Sequence, residues 1–442
     1  MIEQKSKYMI SRRDALRLAL YSAAGFVFID RFGPYAYSAA QAVPAGKQAK
    51  AKAVIEIWMG GGPSHIDTFD PKPNAGSDYS GPLKAIAANV DGIQICELLP
   101  LLAKQADKYS IIRSMTHNVN AHETATYIMK TGRKPGESLV YPGLGSVVSL
   151  FKGYDHGYKG LIPPYIVLTN GEGRFTAEGF LGPKYKPFVT GGDPNQKRFV
   201  VSGVVAEGIT DQRQKDRRDL LHNLDSLGKA VGSNPQFEQL DQCEEKAYNL
   251  ILGDGGKVFD LSSEKDELRD KYGRNKFGQS CLMARRLVEI GVPFITINHG
   301  GWDTHKQHFE EMRRRLPQLD QGMAALFQDL ADRSLLDSTI VLCIGEFGRT
   351  PKVQWEAPWN GGRGHYGNCF CAVVAGGGFK GGRIVGESDD KGQEVANRPV
   401  LAQDLFASIY ELLGIDPDGL LPNPKGLDIK VMPGANRLKE IM

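Results

Sequence analysis

The chain has 442 residues, of which 41% are hydrophobic and 24% charged, and 54 basic against 51 acidic side chains leave a net charge of +3. That composition suits a globular protein with a large core, and it argues against a disordered, nucleic-acid-binding or membrane-surface chain. The 52 glycines gather in loops beside His and Asp rather than in repeats, which points to a loop-built site.

From the N-terminus, Ser11-Arg12-Arg13-Asp14-Ala15-Leu16 precedes an apolar run from Leu16 to Ile29, and a small-residue stretch ends at Ala40-Gln41-Ala42. Paired arginines, a short weakly hydrophobic run and an Ala-x-Ala site have the layout of a twin-arginine signal peptide, with Ala15 where Phe is favoured. An amphipathic helix is the alternative, and the run is short for a membrane span. Residues 1–42 are therefore expected to be an export address, handled by the twin-arginine machinery, and 43–442 a single periplasmic or extracellular domain with no stable membrane span.

Val54 to Met59 is a β-rich run stopped by Gly60-Gly61-Gly62-Pro63, and Lys108 to Arg113 reads as a second strand. Thr124 to Thr131 is helical and closed by Gly132, and Pro164 to Leu168 is a third strand. Residues 211–290 are rich in helix formers, with an amphipathic helix over Cys281–Ile290 leading into a strand over Pro293–Ile297. A helix over Arg313–Arg333 then leads into the strand Thr339–Ile344, followed by a short strand Ala372–Ala375 and a helix Leu401–Leu413. This alternation predicts an α/β fold, a mainly parallel central sheet with helices on both faces. In such sheets function collects in loops beyond the strand C-termini. The six cysteines, Cys96, Cys243, Cys281, Cys343, Cys369 and Cys371, form no Cys-x-x-Cys pair and no zinc-finger spacing. Cys343, Cys369 and Cys371 lie in apolar runs that favour buried thiols, and a disulfide stays open without a pairing.

Four polar clusters follow predicted strands. In Gly60-Gly61-Gly62-Pro63-Ser64-His65-Ile66-Asp67-Thr68 the glycines permit close backbone approach to an anion, and Ser64, His65, Asp67 and Thr68 offer metal or oxyanion ligands. The spacing matches neither a Walker A loop nor a dinucleotide fingerprint, so a polar turn with Asp67 capping a helix is the alternative. His117-Asn118-Val119-Asn120-Ala121-His122-Glu123-Thr124 opens a helix whose N-terminus suits an anion; a cap beside two surface histidines would look the same. His299-Gly300-Gly301-Trp302-Asp303-Thr304-His305-Lys306-Gln307-His308 is the most concentrated, with three of the nine histidines and an Asp in ten residues. Imidazole and carboxylate together suit zinc, manganese or iron. Finally, Gly345-Glu346-Phe347-Gly348-Arg349 is followed by Gly361-Gly362-Arg363-Gly364-His365. Glu346 could ligate a metal, and Arg349 or Arg363 could hold a tetrahedral oxyanion. A Glu346–Arg349 salt bridge and a loop histidine at 365 are the alternatives.

The signal-like start, Gly-Gly-Pro-Ser-His-Ile-Asp-Thr-Phe-Asp-Pro-Lys, Gly-Gly-Trp-Asp-Thr-His, Gly-Glu-Phe-Gly-Arg-Thr-Pro and the late Gly-Arg-x-His together resemble the family called domain of unknown function 1501, over residues 50 to 430. That family looks like a branch of the alkaline phosphatase and sulfatase superfamily, which implies an alkaline phosphatase-like fold with two metal sites and a nucleophile at the C-terminal edge of the sheet. The resemblance puts Asp67 near the first-strand metal Asp, Asp303 and His305 in a metal-binding loop, Glu346 at the Asp of a paired Asp-His with Phe347 replacing the His, and His365 at the late metal-binding His. Counting back from Thr131-Gly132 along the sulfatase pattern places His122, not Cys or Ser, at the nucleophile position. Either Thr124 attacks, or His122 serves as ligand or nucleophile, or a metal-bound hydroxide acts.

The expected function is an exported hydrolase of small-molecule or polysaccharide phosphate or sulfate esters, using one or two divalent ions (zinc first, then manganese, calcium or iron). The expected metal set is His65, Asp67, Asp303, His305, His308, Glu346 and His365; Thr124, His122 and Arg349 are the expected catalytic groups, and Gly61, Gly62, Ser64 and Arg363 the expected anion site. A non-catalytic exported metal- or anion-binding protein and a metal-dependent mutase are the rival readings.

Overall fold

Ala-Val-Ile-Glu-Ile-Trp, the strand β1 (Ala53–Trp58), is buried along its whole length, as a strand covered on both faces must be. The other strands of its sheet are, in chain order, β2 (Tyr109–Met115), β3 (Tyr165–Leu168), β4 (Phe188–Val189), β5 (Phe294–Asn298), β6 (Thr339–Ile344), β7 (Phe370–Ala375) and β8 (Arg383–Val385). The main helices are α1 (His122–Thr131), α2 (Leu144–Lys152), α3 (Lys276–Glu289), α4 (His308–Asp332) and α5 (Ala402–Leu412). This computed structural model describes residues 48–171, 178–196, 212, 213, 216, 220 and 257–442. The signal-like residues 1–42 and most of the helix-rich stretch from 211 lie outside the described residues. Chain contacts divide the molecule into a unit of Ala45–Phe199 with Tyr248–Met442 and a unit of Met1–Pro44 with Val200–Ala247. Of the second, only the helical residues 212, 213, 216 and 220 are described; everything below concerns the first.

The eight strands lie in the order β8-β2-β7-β6-β1-β5-β3-β4. Neighbours are parallel except at β7, which runs antiparallel to both β2 and β6. Alternate side chains of each strand point to opposite faces. Ile55 and Ile57 of β1 join Leu282 and Leu287 of α3 and Leu316, Leu319 and Met323 of α4 in one apolar cluster. Val54 and Trp58 join Val147 and Val148 of α2 and Leu405, Phe406 and Ile409 of α5 in the other. The fold is thus α/β, a mostly parallel sheet with helices on both faces. Glu56 is the polar exception in β1. Its carboxylate lies 2.9 Å from Lys130 Nζ of α1 and accepts from Thr296 Oγ1 of β5 at 2.8 Å, all buried. The Lys130 ammonium also sits 3.7 Å from the Trp58 ring centre, so α1 is clamped onto the middle of the sheet.

Two helices begin earlier than the sequence pattern predicts. α4 starts at His308 rather than Arg313, because His308, Phe309, Met312, Leu316 and Leu319 form a continuous buried stripe that the exposed Arg313-Arg314 interrupts only in sequence. α3 starts at Lys276 rather than Cys281, where the Asn275 side chain accepts the Gly278 N–H and caps the helix. Cys96, Cys281, Cys343, Cys369 and Cys371 are buried free thiols. Among the described residues no helix is long and apolar enough to cross a membrane.

Strands β1, β2, β5 and β6 all run the same way, so the segments 59–67, 116–122, 299–308 and 345–349 leave one edge of the sheet. The segment before β7 arrives at that same edge, because β7 is reversed and its Phe370 pairs with Met115 at the end of β2. Open α/β sheets place their ligand sites at this edge.

Candidate metal centre

Each loop at this edge is held by something buried beneath it. After β5, His299 stacks on Phe277 with ring centres 4.1 Å apart, and the fully buried Trp302 donates its indole N–H to His299 O at 2.7 Å. Trp302 thereby anchors the loop and leaves Asp303 and His305 at its rim. Gly61 lets the first loop lie directly on this turn. At a φ of 109°, its missing Cβ would fall 2.4 Å from Asp303 N, so only glycine fits. The short ladder in which His365 pairs with Arg349 brings in the late histidine.

His122, Asp303 and His365 converge, each offering one ligand atom, with all three atoms within 4.8 Å of one another. His122 Nε2 lies 3.3 Å from Asp303 Oδ2, and His365 Nε2 and His305 Nε2 lie 3.1 and 3.0 Å from Asp303 Oδ1. The two imidazole nitrogens of His305 and His365 are 2.8 Å apart. The far side of each ring is committed. His122 Nδ1 contacts Glu346 Oε1 at 2.7 Å, and His365 Nδ1 contacts the Asn120 carbonyl at 2.9 Å. A ring that donates from Nδ1 keeps Nε2 as a lone-pair donor, the arrangement that metal-binding histidines adopt. The donor set, two or three imidazoles and one carboxylate with their backing groups in place, fits a divalent cation.

Exposure separates the converging side chains from those behind them. The side chains of His122, Asp303, His305 and His365 are 38, 44, 37 and 22% exposed, whereas Glu346 is 3% exposed. Glu346 accepts the Gly61 N–H at both oxygens, 2.9 and 3.1 Å, as well as contacting His122. It therefore backs His122 rather than meeting Asp303. The Glu346 hydrogen bond outweighs burial and raises the His122 pKa. Burial alone would raise the Asp303 carboxyl, but Arg349, with His365 and His305, holds it down at about 2. Burial lowers His305 despite the neighbouring Asp303.

Several residues expected at this centre lie elsewhere. Asp67 is buried, with Arg363 Nε 2.8 Å and His308 Nε2 2.9 Å from its Oδ2, and it accepts Ser64 Oγ–H at 2.5 Å. His308 Nδ1 in turn meets Thr304 Oγ1 at 2.6 Å. Asp67, His308 and Ser64 thus form a sealed bracket beneath the Asp303–His305 turn, not part of the exposed cluster. His65 is buried with its Nε2 on the Gly392 carbonyl at 2.8 Å. Arg349 is wholly buried. It donates to Gly62 O at 2.9 Å, to Gly61 O, to Arg363 O at 3.3 Å and to Asp303 Oδ1 at 2.5 Å. It positions Asp303 and has little donor capacity left for a substrate oxyanion. Arg363 is spent likewise on Asp67, Tyr79 O, Thr350 O and Pro351 O. The Gly61 and Gly62 amides point to Glu346 and to Met59 O, so no free oxyanion cradle stands there. Thr124 is two residues past His122 on α1, and residues so spaced face apart on a helix.

Two supports escaped the sequence reading. Asn120 holds His365 through its carbonyl and Gly367 N through its side chain at 2.7 Å. His117, whose Nδ1 accepts from Val119 N at 3.1 Å, donates from Nε2 to Glu346 O at 2.6 Å. Both stand in the His117–His122 segment, whose only signal was its mixture of His and Asn after a strand.

Solved structures of similar outline include Ps i-CgsB in complex with k-i-k-neocarrahexaose (13% identity, TM-score 0.41, covering 86% of this chain and 75% of that one). Others are the lipoteichoic acid synthase LtaP from Listeria monocytogenes (10%, 0.39, 94% and 80%) and the C-terminal periplasmic domain of EcEptC from Escherichia coli in complex with Zn (10%, 0.36, 88% and 90%). Likeness at that level says nothing of this chain's chemistry. No curated protein matches the sequence. The family described as "Protein of unknown function (DUF1501)" matches residues 51–442, and the chain belongs to that family.

Proposed function

We propose that this is an exported metal-dependent hydrolase of phosphate or sulfate esters, with His122, Asp303 and His365 holding the ion and His305 beside them. The convergence of those three ligand atoms within 4.8 Å at the functional edge of a parallel sheet carries the reading. A divalent ion bound there would supply charge to polarise an ester oxygen and lower the pKa of a water; zinc suits the imidazole-rich donor set best, with iron or manganese next and the oxygen-preferring calcium last. Glu346 and the Asn120 carbonyl fix the ring orientations of His122 and His365, and Arg349 fixes Asp303. His305, half-exposed and with its pKa lowered by burial, is the group placed to hold or accept a proton at the rim. Export rests on the Ser11-Arg12-Arg13 segment and the Ala40-Gln41-Ala42 stretch.

The test is turnover of 4-nitrophenyl phosphate and 4-nitrophenyl sulfate before and after chelation. Chelator-sensitive hydrolysis restored by added zinc or manganese, and absent in Asp303→Ala, supports the reading. Hydrolysis that persists in metal-stripped Asp303→Ala removes it.

One set of observations favours a second reading, a non-catalytic metal-binding protein. Arg349, Arg363 and the Gly61 amide are all committed to internal partners, and Thr124 is turned from His122. Metal bound without any turnover of either ester would select it.

A further inference from the structure

A cleft of about 510 Å³ opens beside the cluster, lined by Asp303 and His305 together with Lys306, Glu311, Arg314 and Arg315. Pockets of about 300–1,000 Å³ hold whole small ligands, so this one has room beyond a single sulfate or phosphate group. Its lining carries three basic side chains, Lys306, Arg314 and Arg315, against two acidic ones, Asp303 and Glu311. Both guanidiniums lean on a single carboxylate oxygen, with Arg314 Nη2 and Arg315 Nε 2.5 and 2.9 Å from Glu311 Oε2. Lys306 is exposed and has no ion-pair partner among the described residues. Arg314 and Arg315 thus share Glu311, and Lys306 lines the cleft unpaired among those residues. Arg315 is laid flat against the turn that carries Asp303. A Cβ on Gly301, whose φ is 95°, would come within 2.6 Å of both Arg315 Nη1 and Nη2. Lys306 thus stands in the same turn as Asp303 and His305, and Arg315 of α4 is packed against that turn, with the exposed Arg314 beside it on the helix.

Resting on the hydrolase reading, we infer that this cleft takes a second anionic group of the substrate, so that the substrate class is a polyanionic ester. One sulfate or phosphate would meet the ion held by His122, Asp303 and His365. Another sulfate, phosphate or carboxylate, carried on the same molecule, would meet Lys306 and Arg314, whose remaining N–H groups form charge-assisted hydrogen bonds with such oxygens.

Binding of sucrose octasulfate and of 4-nitrophenyl sulfate to the full-length protein, measured by calorimetry at low and physiological salt, tests this. The wild type is compared with Lys306→Gln/Arg314→Gln, two exposed side chains whose loss leaves Arg315 and the metal ligands in place. Expected is a weakening of at least about tenfold for the octasulfate, a shallower salt dependence, and no change for the monosulfate. The charge-reversed Lys306→Glu/Arg314→Glu should weaken the octasulfate further. Equal octasulfate affinity in wild type and both variants, with unchanged melting temperatures, overturns the inference. Failure of the hydrolase reading looks different: no metal and no ester turnover in the wild type, whatever the octasulfate affinities show.

Discussion

His122 and His365 each turn one nitrogen toward Asp303 because the other is occupied, by the Glu346 carboxylate and by the Asn120 carbonyl. Glu346→Gln should therefore lower metal affinity about 10- to 100-fold while leaving the three ligands in place, measurable by zinc titration against a chromophoric chelator. Thr124→Val should leave stability within about 0.5 kcal/mol of wild type and leave metal content unchanged; a loss of metal would return Thr124 to the centre. Arg349→Lys should destabilise by about 1–3 kcal/mol, since three buried carbonyls lose a fork that an ammonium cannot reproduce. Urea unfolding reads that change. The residue types at the centre were legible because His is scarce, nine in the chain, and three of them with an Asp were concentrated after one strand. Whether an Arg faces a ligand or a carbonyl was not legible. Arg349 and Arg363 look alike in sequence, and both spend their donors on backbone oxygens from distant loops, a matter of three-dimensional packing alone.

The loops act as elements because a second, sealed network lies beneath them. Asp67, paired with Arg363 and His308 and reaching Thr304 through His308, locks the turn that carries Asp303 and His305. Its carboxyl is held well below the usual range; burial opposes this, but Arg363 and His308 prevail. A depressed folded-state pKa contributes stability that is complete above the unfolded value, about 4, and is lost as pH falls through the folded value. Asp67→Asn should thus cost about 3–5 kcal/mol near neutrality, and its deficit against wild type should shrink as pH drops below about 4. Metal content per folded chain should survive, which separates a bracket from a ligand. The strands were readable from their runs of buried apolar residues, and β6 falls where the pattern put it. The direction of β7 was not, since a short apolar run carries no sign of its polarity. The consequence is particular: His365 reaches the shared edge by preceding a strand, while the loops of His122 and Asp303 follow theirs.

At the scale of the molecule, the sheet brings together groups as far apart in sequence as His122 and His365, so an ion held there couples to the stability of the whole unit. Metal present at a hundredfold over its Kd should add about 2.7 kcal/mol, and a chelator should lower the melting temperature of the wild type but not of Asp303→Ala. The most direct measurement is elemental analysis of the purified chain beside His122→Ala, Asp303→Ala and His365→Ala. A divalent ion is expected in stoichiometric amount in the wild type and lost from each variant. A wild type without metal, or variants that keep it undiminished, would contradict the account.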